Sequence, residues 1–196
     1  MEKALFTFCM AATFASGAAL AADEGFYVAL DAGQSRAKDA CTGIPAGFSC
    51  KNTGTAIRLA GGYQFNNNVG VELSYGDYGS NKASGTVGGV PISASLKATG
   101  LEAALVGSLP LSPSFALTGK LGIANTKIKG QGAGGGFAVS ASATSTTGSY
   151  GIGMRYDLSK AMSLRAQYED LGNVGDAATT GKSKISLLTV GLIFGF

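Results

Sequence analysis

Along most of this chain, apolar and polar residues alternate in segments of about ten residues or more, separated by clusters of Gly, Asn, Ser and Pro. A period of two is the signature of a strand whose two faces meet different surroundings. The first segment, Gly25 to Arg36, puts Phe26, Val28, Leu30 and Ala32 on one face and Tyr27, Ala29, Asp31 and Gly33 on the other. The second, Gly54 to Asn66, sets Ile57, Leu59, Gly61, Tyr63 and Phe65 against Ala56, Arg58, Ala60, Gly62 and Gln64. The third, Val69 to Tyr78, opposes Val69, Val71, Leu73 and Tyr75 to Glu72 and Ser74. In the fourth, Ile92 to Leu109, Leu101, Ala103, Leu105 and Leu109 face away from Glu102 and Ala104. Its early part keeps no single parity, which predicts a bulge or a protruding loop stem. The fifth, Phe115 to Ile128, opposes Phe115, Leu117, Leu121 and Ile123 to Thr118, Lys120 and Ala124. Tyr150, Ile152, Met154 and Tyr156 alternate with Gly151, Gly153, Arg155 and Asp157 in the sixth, Ala143 to Asp157. The seventh, Met162 to Leu171, sets Met162, Leu164, Ala166 and Tyr168 against Arg165, Gln167 and Glu169. The eighth, Ser183 to Phe196, sets Leu188, Val190, Leu192, Phe194 and Phe196 against Thr189, Gly191 and Gly195.

The connections between these segments alternate in length. Asn66-Asn67-Asn68, Pro110 to Ser114 and Asp157 to Ala161 read as tight turns. Residues 37–53, 79–91, 129–142 and 172–182 read as long loops rich in Gly, Ser, Thr and Ala. Short turns on one rim and long loops on the other are the habit of barrels that cross an outer membrane. The pattern therefore predicts an all-β fold: an eight-stranded antiparallel up-and-down transmembrane β-barrel over residues 22–196, with both termini at the short-turn end. A soluble up-and-down barrel has no reason for the long–short alternation.

Composition supports a lipid-facing surface. Only 14% of residues are charged while 45% are hydrophobic, and 31 are glycine. A lipid-facing barrel tolerates this, because half of each strand points into hydrocarbon. Residues 1–21 read as a cleaved signal peptide: Lys3, an apolar run from Ala4 to Ala15, and Ala19-Leu20-Ala21 as the small-residue site, with cleavage after Ala21 or Ala22. The apolar run is too short for a membrane anchor. Cys9 would be lost with it.

The apolar parity set carries aromatics near both expected interfaces: Phe26, Tyr63, Phe65, Tyr75, Phe115, Tyr156, Tyr168 and Phe196. The opposite set carries Arg58, Glu72, Glu102, Lys120, Arg155, Arg165 and Glu169. With the apolar face toward lipid, these seven charges point inward as an interior network, four positive and three negative, so that they can pair. Asp31 shares their parity and is a further candidate. An eight-stranded barrel has an interior just filled by side chains, so a plugged lumen is expected. The inverted assignment, with an apolar interior and charges in solvent, would crowd a narrow interior with Leu, Tyr and Phe.

Several chemistries are disfavoured. The chain has no histidine, and its fifteen Lys and Arg are scattered singly, which leaves no nucleic-acid footprint. Neither a metal site nor a cofactor is indicated. Serines in the loops lack a general base, and Glu72, Glu102 and Glu169 sit among Arg and Lys, so no catalytic residue is expected. Cys41 and Cys50 have eight residues between them, including Gly43, Pro45 and Gly47. In an oxidising compartment a disulfide is the default over two free thiols.

The segments Gly25-Phe26-Tyr27-Val28, Gly62-Tyr63-Gln64-Phe65 through Gly70-Val71-Glu72, Gly119-Lys120-Leu121-Gly122 and the terminal Phe196 resemble the small outer-membrane barrels that include the OmpA transmembrane domain, OmpX and neisserial surface protein A. The resemblance implies an eight-stranded antiparallel barrel with Glu72 at an inward acidic position. It also implies that Phe196, Phe194 and Leu192, with Val190 and Leu188, form the signal read by the barrel-assembly machinery. Relatives with a peptidoglycan-binding domain continue past the barrel, so cell-wall anchoring through such a domain is not expected of a chain ending at Phe196. The function expected is a structural or surface-interaction role, adhesin-like, through extracellular loops in the bacterial outer membrane. The alternative is a narrow or transient channel through the charged interior. A soluble periplasmic or secreted β-domain is a further alternative. Expected partners are outer-membrane lipid and lipopolysaccharide, the barrel-assembly machinery and a host or surface ligand; a monomer is expected.

Overall fold

Nine strands account for nearly all of the described residues, which in this computed structural model are 24–38, 40–41, 48–176 and 182–196. The expected signal peptide lies outside them. The strands are β1 (Gly25–Ala37), β2 (Ser49–Lys51), β3 (Thr53–Gln64), β4 (Val69–Val87), β5 (Val90–Ser112), β6 (Phe115–Gly134), β7 (Phe137–Asp157), β8 (Met162–Val174) and β9 (Ser183–Gly195). All pairings are antiparallel, and β4 pairs with both β3 and β5 while β1 pairs with both β3 and β9. The eight long strands thus close into a ring, and the short β2 lies outside it, on the upper edge of β4. Closure satisfies the backbone of every strand from a neighbour, which is what hydrocarbon surroundings require.

The three short turns fall where the composition put them. At the first, Asn66 Oδ1 accepts from the amides of Asn68 (2.8 Å) and Val69 (2.9 Å), an Asx turn that suits the Asn run. The Phe196 amide donates to Phe26 O at 2.9 Å, so both ends of the barrel chain lie on this same rim.

Two of the four expected loops are not loops. Residues 79–91 and 129–142 are mostly strand, the outer ends of the β4–β5 and β6–β7 hairpins. Each hairpin closes on two glycines with positive φ: Gly88 (56°) and Gly89 (82°), then Gly135 (59°) and Gly136 (83°). Positive φ at both central residues defines the type I′ turn, whose twist matches that of paired strands. Together with β2, the outer ends of β4, β5, β6 and β7 form a five-stranded sheet standing above one side of the ring. It carries about 36 Å of strand beyond Ile123, at roughly 3.3 Å for each residue to Gly134.

The early part of the fourth segment is the stem of the projecting β4–β5 hairpin, one of the two forms expected there, while the bulge lies on its partner strand. Register shifts between Asp77 and Ser80 on β4 and, on the opposite side of the ring, between Asp170 and Asn173 on β8. Both are the same local device: Tyr75-Gly76-Asp77-Tyr78-Gly79 and Tyr168-Glu169-Asp170-Leu171-Gly172. The glycine sits at positive φ (77° and 73°), and its amide donates to the Oδ1 of the aspartate at 2.9 Å in each case. These are glycine bulges. Tyr78 and Leu171, which share the inward parity of Glu72 and Glu169, stand at these bulges and are buried in the lumen, and beyond each bulge the alternation changes phase.

Candidate functional site: the barrel lumen and its outer faces

Alternation along the strands sends the apolar set outward and the charged set inward. Leu105 and Leu121, directly opposite each other across β5 and β6, are 60% and 67% exposed. Arg58 and Glu102 are 2% and 1% exposed. Outward aromatics collect in two bands. Phe26, Tyr63, Phe65, Phe115, Tyr156 and Phe196 lie toward the short-turn rim, with Phe26–Tyr63 and Tyr63–Phe65 packed edge to face at 4.8 and 5.3 Å. Tyr75, Tyr150 and Tyr168 lie toward the opposite rim. An apolar band between two aromatic girdles matches the thickness profile of a bilayer. Phe196, Phe194 and Leu192 stand on this outer face of β9.

Inside, six of the seven sequence-identified charges meet in one layer, joined by Asp31. Arg58 on β3 donates from Nε to Asp31 Oδ2 (3.1 Å) and from Nη1 to Glu169 Oε2 (2.5 Å), with Glu102 Oε2 at 3.6 Å. Lys120 on β6 reaches Glu72 (3.1 Å), Glu102 (2.6 Å) and Glu169 (3.4 Å). Arg165 on β8 forks onto Asp31, with Nε–Oδ1 and Nη2–Oδ2 both at 2.6 Å, and reaches Glu72 Oε2 at 2.5 Å. Three cations thus bridge four carboxylates in a closed circuit. Tyr27 donates to Glu72 (3.2 Å), and Ser74 and Ser149 donate to Glu102 (3.2 and 2.7 Å). Small residues make room: any side chain at Gly191 would strike the Asp31 carboxylate, and one at Gly62 would strike the Tyr27 ring.

Arg155 stands apart from this circuit. It faces inward nearer the short-turn rim, partly exposed, and pairs with Asp157 at 3.0 Å. Its cross-strand neighbour is Arg165, which is already saturated by Asp31 and Glu72. Above the charged layer, Ala56, Tyr78, Ala98, Ala124, Ile128, Leu171, Val174, Ile185 and Leu187 pack into a buried apolar cluster. Tyr78 and Leu171 carry the inward parity of Glu72 and Glu169, whereas Val174 reaches the cluster only because the bulge at Gly172 shifts the phase of the alternation. The repeated Tyr-x-Asp-x-Gly pattern is the signal that could have found it.

The family model of the outer membrane protein β-barrel domain matches residues 6–194. The chain belongs to that family. It is therefore a bacterial outer-membrane protein, with its apolar face toward lipid. Among solved structures, this outer-membrane barrel resembles Ail, the attachment invasion locus protein of Yersinia pestis, crystallised with the heparin analogue sucrose octasulfate. The identity is 20% and the TM-score 0.57, over 89% of this chain and 99% of Ail. Neisserial surface protein A follows at 16% identity and a TM-score of 0.54, over 88% and 97% of the two chains. OprG of Pseudomonas aeruginosa shares 12% identity at a TM-score of 0.55, over 89% and 98%. At these identities the likeness is one of fold. No curated protein matches the sequence.

On the outer end of the barrel, Cys41 and Cys50 form a disulfide, with Cα atoms 5.9 Å apart. It ties the β1–β3 connection to β2 and hence to the edge of β4. Replacing both with serine is expected to leave the barrel folded and still shifting on SDS gels between unboiled and boiled samples. Protease added to intact cells is expected to cut near residues 38–52 faster than in the native protein, because the cross-link restricts only that short loop.

Proposed function

We propose that this outer-membrane barrel works as a surface-interaction protein, adhesin-like, through the sheet that projects beyond the membrane. The observation that carries the reading is the contrast between a filled lumen and a projecting sheet. Paired charges and an apolar plug occupy the lumen from wall to wall, while the β4–β5 and β6–β7 hairpins stand clear of the ring. Their upper ends bear exposed apolar side chains, Phe137 and Val139 at 82% and 71% and the less exposed Val90 and Ile92. Apolar anchors on an otherwise polar sheet are the usual centre of a protein contact. A second reading, a sulfated saccharide of the kind bound to Ail, is favoured by the lysines on the same sheet. No enzymatic role is proposed, and residues 1–21 and the Phe196, Phe194 and Leu192 set are assigned to export and assembly.

Bacteria expressing the protein should bind cultured host cells, and the double change Phe137→Ser with Val139→Ser should reduce binding about tenfold, the loss of roughly 1.4 kcal/mol from one anchor. Binding that the double change leaves intact would refute the hairpin tips as the contact. The channel reading makes the opposite demand. Purified protein in planar bilayers is expected to give no ion conductance, and Lys120→Gln none either. Steady conductance steps sensitive to Lys120→Gln would place function in the lumen instead.

A further inference from the structure

Five lysines share the outward face of the projecting sheet: Lys51 on β2, Lys82 on β4, Lys97 on β5, and Lys127 and Lys129 on β6. The registers set Lys51 directly opposite Lys82, and Lys97 directly opposite Lys129. All five are exposed. Among the described residues, the acid paired to this group is Asp77, 2.8 Å from Lys97. Like charges directly opposite on one face of a sheet repel, so the arrangement favours an anion between them.

The position of the row narrows the choice of anion. It continues the lipid-facing side of the strands and does not line the barrel mouth. Lys97 and Lys127 each stand four residues beyond the last lipid-facing apolar residue of their strand, Leu101 and Ile123. That is about 13 Å of strand at 3.3 Å per residue, or ~10 Å along the membrane normal at a tilt near 40°. Phospholipid headgroups extend only about 5–7 Å beyond the hydrocarbon; a phosphorylated sugar headgroup extends further. Lysine stems add reach in either direction.

We propose that this lysine face is a binding site for the phosphorylated sugar headgroup of the outer-leaflet glycolipid, lipopolysaccharide. The phosphates bridge the opposed pairs Lys51–Lys82 and Lys97–Lys129, and Lys127 engages the headgroup nearest the membrane. This site is independent of the apolar hairpin tips invoked above.

The test uses full-length folded protein in nanodiscs, with purified lipopolysaccharide, lipopolysaccharide stripped of phosphate, and heparin as probes. Wild type should bind intact lipopolysaccharide at least tenfold more tightly than the phosphate-free form, with affinity falling as salt rises. The combined change Lys82→Gln, Lys97→Gln, Lys127→Gln and Lys129→Gln should remove most of that difference, its fold being checked by the gel shift. A control at Lys160, on the opposite rim, should leave it unchanged. Equal binding of intact and phosphate-free lipopolysaccharide by wild type would overturn the proposal without any variant. So would a folded quadruple variant that keeps its lipopolysaccharide affinity, including one that loses only heparin, which would assign the face to a soluble polyanion.

Discussion

Arg58→Ala is expected to cost the folded barrel about 3–5 kcal/mol, the range for removing one partner of a buried ion pair. Arg58 is the cation that joins Asp31 to Glu169 and approaches Glu102. Its loss leaves four carboxylates around Lys120 and Arg165 alone, in a space that water barely reaches. Arg165 is already committed to Asp31 and Glu72, which leaves Glu169 with Lys120 alone, at 3.4 Å and shared with Glu72 and Glu102. Arg58→Lys should be milder, because it keeps the charge but not the fork that reaches Asp31 and Glu169 from separate nitrogens. Removing the opposing charge as well, Arg58→Met with Glu169→Gln, should recover much of the loss, since deleting a buried pair is less damaging than breaking one. The measurement is the urea midpoint of the heat-sensitive gel shift in detergent for the three variants. A near-native midpoint for Arg58→Ala would mean that the circuit is not what holds the interior.

Leu105→Arg carries the second large effect. Leu105 lies midway along the outward face of β5, between Val71 on β4 and Leu121 on β6 in the register. A cationic side chain near the bilayer midplane of an outer-membrane barrel costs about 2–4 kcal/mol. The same change on a water-facing surface would be close to neutral and would improve solubility. The effect of Leu105→Arg on folding into lipid vesicles therefore separates the two orientations of the barrel. A companion change at Thr146, a polar outward position on β7 beyond the upper aromatic girdle, is expected to have little effect.

Within the membrane-spanning part, most of this was legible in the residues. The alternation of Leu101, Ala103 and Leu105 with Glu102 and Ala104 exists because one face meets lipid and the other a polar interior, and that contrast shows in the sequence. Charge balance pointed to an interior layer because unpaired charges cannot persist there. Legibility ended where the contrast ended. Residues 79–91 and 129–142 face water on both sides, so Ser, Thr, Ala and Gly serve either face and nothing alternates; they read as loops although they are strand. The Gly88-Gly89 and Gly135-Gly136 pairs were the remaining turn signals. Arg155 shares the inward parity of the circuit, but parity says nothing of depth, and it lies a layer nearer the short-turn rim with its own acid, Asp157. The bulges at Gly79 and Gly172 add one residue each, which parity counting cannot see, so the alternation changes phase beyond them and Val174 turns into the plug.

The most direct test of the account is the alternation itself, measured in lipid. Spin labels placed singly at positions 101 to 105, in the Cys41→Ser and Cys50→Ser background, report collisions with oxygen dissolved in the bilayer and with a water-soluble nickel complex. High oxygen accessibility is expected at 101, 103 and 105, and protection from both reagents at 102 and 104. Nickel accessibility at 101, 103 and 105, or an alternation of opposite phase, would contradict it.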